Sequence, residues 1–209
     1  MTGGAGDSRG IAAGVGGGPV PEAQRSAVQY PGGLSARYRW TGTGGIAALT
    51  AMSEMGGELI DHGPLVSPTP DRLCRAELRV EGPTATWTAR FASPIHDDPA
   101  GLLWDTEGLL VVKYGFLVYA LSSRTGELRW HHESRTPVVA VLGSSRLSHV
   151  IVQTEIETVA VAADGEPVWR AAHSDVVAEV DLVGGRLVLT SYAGLLQALD
   201  PATGRQLDR

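Results

Sequence analysis

Cysteine occurs once in this sequence, at Cys74, so no internal disulfide can form and CxxC metal sites are excluded. It sits in Leu73-Cys74-Arg75-Ala76-Glu77-Leu78, whose alternation suits a strand and makes it a half-buried small apolar residue. Lysine also occurs once, at Lys113, and the net charge is −6 with 19% charged residues. That balance argues against nucleic acid as a partner, because phosphate binding needs clustered Lys and Arg. No stretch approaches the ~20 apolar residues of a membrane-spanning helix, so no membrane span is expected. Met1 to Gly18 holds no apolar signal-peptide core, which makes the cytoplasm the expected location. A sustained helical period is missing too; Ile46 to Met55 comes closest, and its Thr, Ser and neighbouring glycines weaken it.

Motifs of catalysis are equally scarce. The one Gly-x-Ser-x-Gly run, Gly6-Asp7-Ser8-Arg9-Gly10, lies in the Gly-rich leader without the flanking strand and helix of a nucleophile elbow, and His-Glu-x-x-His and Gly-x-x-x-x-Gly-Lys do not occur. Gly14 to Gly18 follows no strand and precedes no helix, so it reads as part of a tail rather than a phosphate cradle. Asp61-His62 and His96-Asp97-Asp98 lie in Pro-rich loops, and adjacent residues rarely point at one ion; both read as solvated loops. His131-His132 falls on a strand, where alternation sends the two rings to opposite faces. No metal site is expected from any of these.

What the sequence does have is glycine, 27 residues of it, set between short apolar runs in a chain that is 43% hydrophobic. Many short strands joined by tight turns read this way, and the fold class expected is all-β. Residues 1–34 lack apolar periodicity and read as a disordered Gly/Pro/Ala-rich leader, with strands filling 35–209.

Those strands repeat. Val118-Tyr119-Ala120-Leu121 through Thr125-Gly126-Glu127-Leu128-Arg129-Trp130 returns as Thr158-Val159-Ala160-Val161 through Asp164-Gly165-Glu166-Pro167-Val168-Trp169. It returns again as Leu196-Gln197-Ala198-Leu199-Asp200-Pro201-Ala202-Thr203-Gly204. Gly126, Gly165 and Gly204 are spaced by 39, and so are Trp130 and Trp169. A period near forty is the length of one four-stranded propeller blade. Three blades follow, at about 100–132, 137–172 and 177–209, and a weaker copy at 46–91 ends on Trp87. Arg37-Tyr38-Arg39-Trp40 reads as an isolated outer strand. The architecture expected is a β-propeller of about four four-stranded antiparallel blades.

The segments Tyr119 to Trp130 and Ala198 to Gly204 resemble the repeat of pyrroloquinoline-quinone-type (PQQ-like) β-propellers. The resemblance implies that each outer-strand tryptophan docks on the neighbouring blade over a turn glycine. Trp87, Trp130 and Trp169 with Gly126, Gly165 and Gly204 would then be structural docking residues. Within that family, quinoprotein dehydrogenases carry a quinone, a calcium ion and a vicinal disulfide, whereas other members are non-catalytic, among them a lipoprotein that helps assemble outer-membrane barrels. One cysteine rules out the disulfide, and the sequence contains no asparagine to join a calcium site. The resemblance therefore implies the non-catalytic branch, with no cofactor.

Four blades are fewer than the family's usual six to eight. Arg37–Trp40 could close a small ring by completing the last blade; two chains could pair as a homodimer into an eight-bladed ring; or the blades could form an open arc. The function expected is a non-enzymatic scaffold for a protein or peptide partner. A quinone-dependent or small-molecule-binding propeller, or a fragment of a longer one, is the alternative. Partner contacts are expected on the inter-blade loops, at His96, Asp97, Asp98, Glu133, Arg135 and His173.

Overall fold

Short runs of Leu and Val, broken by glycine turns, set the chain into strands that are covered on both sides. The computed structural model describes residues 23–42, 58–61 and 73–207. The helix candidate at 46–55, His62, most of the leader and the start of the 46–91 copy lie outside the described residues. Within them are sixteen strands and two short 3-10 turns, and no α-helix.

The strands form four sheets in chain order. The first contains β1 (Gln24–Tyr30), β2 (Leu34–Thr41), β3 (Glu58–Asp61), β4 (Cys74–Glu81) and β5 (Thr86–Ser93). The second is β6 (Ala100–Trp104), β7 (Leu109–Tyr114), β8 (Leu117–Ser122) and β9 (Leu128–Glu133). The third is β10 (Val138–Leu142), β11 (His149–Thr154), β12 (Glu157–Ala162) and β13 (Pro167–Ala172). The fourth is β14 (Val177–Val183), β15 (Arg186–Ser191) and β16 (Leu196–Leu199). The second and third are antiparallel meanders of four strands, and the fourth has three.

The first sheet corrects two expectations. Its order is β1-β2-β4-β5-β3, with β3 parallel to β5. Gln24–Tyr30 is thus an ordered strand inside what the sequence presents as a disordered leader. It has no buried face to announce it; it is held by antiparallel pairing to β2, from Gln24 opposite Trp40 to Tyr30 opposite Leu34. Arg37–Trp40 is not an isolated outer strand either. It lies within β2, paired on both sides, by β1 and β4. It therefore does not complete the last blade, whose third strand is met instead by Gln206 of its own sheet.

Period-2 alternation lets one strand feed two cores. In β7, Leu110, Val112 and Tyr114 join a core shared with the first sheet, while Leu109 and Val111 join a core shared with the third. In β11, Val150 and Val152 face the second sheet and Ile151 faces the fourth, where Leu187, Leu189 and Leu199 meet it. The three cores run in a row, each between consecutive sheets.

Tryptophans fasten the row. Trp87, 2% exposed, donates its indole N–H to the carbonyl of Ser123 at 3.2 Å, in the β8–β9 turn of the next sheet. Trp130 donates to Ala163 O at 2.9 Å, in the β12–β13 turn. Its ring lies on Gly165 (φ +92°), where a Cβ would come within 2.8 Å of Trp130 Cβ. Trp169 lies likewise on Gly204 (φ +69°), where a Cβ would meet Cδ2 at 2.8 Å. Burying an indole removes ~150–250 Å² from water, at most ~4–6 kcal/mol per junction. The third junction differs: the matching carbonyl, Pro201 O, accepts from His149 Nε2 at 2.8 Å, and among the described residues Trp169 Nε1 has no hydrogen-bond partner.

Gly165→Ala should therefore lose about 2–4 kcal/mol in urea unfolding, adding a clash with Trp130 to the left-handed backbone penalty. Gly108→Ala, at φ +64° with nothing within 4 Å, should lose only about 1 kcal/mol. Equal losses would mean that the ring does not seat on the glycine.

Candidate functional site

Alternate connections of an antiparallel meander leave from the same end, so the loops between sheets gather with the turns between second and third strands. Backbone bonds join the two sets. Ser134 N donates to Phe116 O and Val138 N to Gly115 O, each at 2.8 Å. His173 N donates to Ile156 O at 2.8 Å, Val177 N to Glu155 O at 2.7 Å and Tyr192 N to Val176 O at 3.0 Å.

The residues read from the sequence as partner-facing separate into two groups here. His96, Glu133 and Arg135 are exposed. Asp97 is turned into the chain: Oδ1 lies 2.7 Å from Lys113 Nζ and Oδ2 accepts Gly115 N–H at 2.7 Å. Asp98 accepts the Trp40 indole N–H at 2.8 Å. The three neighbours His96, Asp97 and Asp98 thus serve different partners. Among the described residues no group of three or more His, Cys, Asp or Glu side chains is placed to hold a metal ion.

His173 belongs to a buried polar network that sequence reasoning did not find. Gln153 Nε2 donates to the carbonyls of Thr154 at 2.7 Å and Glu157 at 3.3 Å, leaving its Oε1 as acceptor. The Thr158 hydroxyl gives its one proton to that oxygen at 2.6 Å. His173 Nε2, 2.7 Å from Thr158 Oγ1, must then carry a proton and donate it. Burial holds His173 below the usual imidazole range, with Gln197 and Glu157 pulling the other way. Burial does the same to His132, aided by Arg170 and opposed by Glu157.

Next to His173 a cleft of about 280 Å³ opens between the 173–175 loop and the fourth sheet, lined among others by Asp175, Leu189, Ser191, Leu196 and Gln197. Hydrogen bonds from Ser191 and from the Val176 and Ala193 backbone hold the Asp175 carboxyl below its usual range. Around the cleft the end of the last two sheets exposes apolar side chains: Tyr192 is 77% exposed, Leu195 62%, Leu196 59% and Ile156 43%. The signal for them was Tyr192-Ala193-Gly194-Leu195-Leu196, a turn flanked by apolar residues on both faces of a strand. A second cleft of the same size lies at the opposite end, among Trp104, Asp105, Ser144 and His149.

Residues 115–207 match the family model described as outer membrane protein assembly factor BamB. BamB from Moraxella catarrhalis superposes with a TM-score of 0.50 at 14% identity, over 89% of this chain and 66% of that one. Dihydro-heme d1 dehydrogenase NirN in complex with DHE gives 0.51 at 13% identity, over 72% and 36%. The chain spans less than two thirds of the length of the solved structures it matches. No curated protein matches it in sequence. At these identities the likeness concerns the fold, a stack of propeller blades. Among the described residues no helix is long and apolar enough to cross a membrane.

Two predictions arise from this end of the molecule. Asp97→Ala leaves Lys113, 10% exposed in its side chain, without its carboxylate, and should cost about 3 kcal/mol in urea unfolding. His96→Ala should stay within about 0.5 kcal/mol. Second, two histidines with depressed folded values take up protons more readily when unfolded. Their contribution is complete above about pH 6.5 and declines as pH falls below it. The urea midpoint should drop from pH 7.5 to 5.5, and His132→Gln/His173→Gln should flatten that drop. Asp175 acts in a separate window, below about pH 4.

Proposed function

We propose that this chain, whose blades carry the PQQ-like propeller repeat, is a non-enzymatic scaffold that binds a protein partner at the exposed end of its last two sheets. The observation that carries the reading is the set Ile156, Tyr192, Leu195 and Leu196. All four are large, apolar and exposed; Ile156 and Tyr192 lie on turns joined through the 173–176 loop, and Leu195 and Leu196 follow the second of these turns into β16. Exposed apolar surface rimmed by polar groups is the usual form of a protein-binding patch, and tyrosine is favoured there because it is both apolar and hydrogen-bonding. Asp175 and Glu155 supply a polar rim of negative charge. The match to a family described by outer-membrane-protein assembly supports a protein rather than a small molecule as partner.

A photoreactive phenylalanine at Tyr192, introduced in the cells that make the protein, tests this. It should yield one discrete heterologous adduct, absent when the probe sits at Arg129. Ile156→Asp/Leu195→Asp should reduce that adduct about tenfold or more. No adduct at 192, or adducts only between copies of this chain, would overturn the reading.

A further inference from the structure

Four of the five tryptophans have their partners along the row of sheets. The indole N–H groups of Trp40, Trp87 and Trp130 each meet an acceptor further along the chain, and the Trp169 ring lies on Gly204. Trp104 is the fifth. It closes β6, and its ring, 8% exposed, packs in the core between the second and third sheets. Among the described residues its indole N–H makes no hydrogen bond, yet that group is not shut into the core. A largely buried indole usually answers its N–H, so the cleft that Trp104 lines is where an acceptor belongs.

That cleft, about 280 Å³, lies between the first hairpins of the second and third sheets. Turns 105–108 and 143–148 form its mouth, and both are described throughout, as are the neighbouring turns 123–127 and 163–166. The 143–148 turn is longer than its counterparts, 105–108 in the second sheet and 184–185 in the fourth. Leu102 and Val150 make the floor: a Cβ on Gly143 would lie 3.5 Å from Leu102 Cδ1 and 3.9 Å from Val150 Cγ1. Polar side chains of both turns stand around it, Asp105 and Thr106 on one side and Ser144 and Ser145 on the other. Ser144 Oγ accepts the Arg146 N–H at 3.3 Å and keeps its own proton to donate.

The donors and acceptors select the ligand. A carboxylate only accepts and an indole N–H only donates. A cation would answer Asp105 and leave Trp104 unmet; an anion would answer Trp104 and face the charge of Asp105. A hydroxyl group serves both. Size narrows the choice further, because sites for drug-sized ligands run to ~300–1,000 Å³ and this cleft falls at the small end. We infer that the cleft binds one neutral sugar ring, with its apolar face on Leu102 and Val150 and its hydroxyls among Asp105, Ser144 and the Trp104 N–H. The site lies at the opposite end from the exposed apolar set and does not rest on the scaffold reading.

The full chain, isotopically labelled at its indole nitrogens, should show five N–H resonances, and Trp104→Phe identifies the one of Trp104. D-Glucose, D-galactose, D-mannose and N-acetyl-D-glucosamine are the probes. At least one should move that resonance alone and saturate in the millimolar range. Gly143 lies outside the left-handed region and can carry a side chain, so Gly143→Leu fills the cleft. It should abolish the response while the resonances of the other four tryptophans stay in place. Asp105→Ala, at an exposed position, should weaken binding about fivefold or more. Retained affinity of the α-methyl glycoside assigns the site to the end of a glycan, and its loss to a free sugar. No saturable shift with any of the four sugars would overturn the inference. So would an equal response to cyclohexanol or methylguanidinium, or an unchanged response in Gly143→Leu.

Discussion

Everything in this molecule depends on a tryptophan of one sheet reaching the glycine-containing turn of the next. At Trp130 the contact is both apolar and polar. The ring lies on Gly165, where any side chain would collide, and its N–H satisfies the Ala163 carbonyl. A sheet of three or four strands buries little by itself, and its apolar residues point to both faces. Stacking therefore has to be specified, and a single large side chain seated on one backbone turn fixes distance and rotation together. The alternation in β7 and β11 then sorts the remaining side chains into two cores without further instruction.

A row of sheets has two ends, and the ends are built differently. In the first sheet, the face of β4 opposite the core carries Arg75, Glu77, Arg79 and Glu81, and that of β2 carries Arg37 and Arg39. In the last, the residues opposite the core include Val188, Ala198 and Leu196, and the outer strand is incomplete among the described residues. The exposed apolar side chains and the cleft beside Asp175 both fall on this second end. That coincidence gives the binding proposal its location.

How much of this was legible in the sequence varies with the element. The last three sheets announce themselves because the turn glycine recurs every 39 residues and the strands on either side are apolar. The first sheet does not, for a physical reason: β1 is exposed along nearly its whole length, so its place is set by hydrogen bonds to β2 and leaves no mark in hydropathy. Trp40 misleads for a related reason. It sits in a strand of the right composition for an outer edge, yet it is covered on both sides and anchored to Asp98. The candidate site was half visible. The loops were found by position, but Asp97 and Asp98 are bonded within the chain.

The most direct test of the stacking account is residue-resolved hydrogen exchange on Trp130→Leu. If one ring holds one sheet to the next, protection should fall first in the Ala162–Glu166 turn and in the third and fourth sheets, while the first sheet keeps its exchange rates. An even loss across all four sheets, or unchanged protection at the turn, would contradict it.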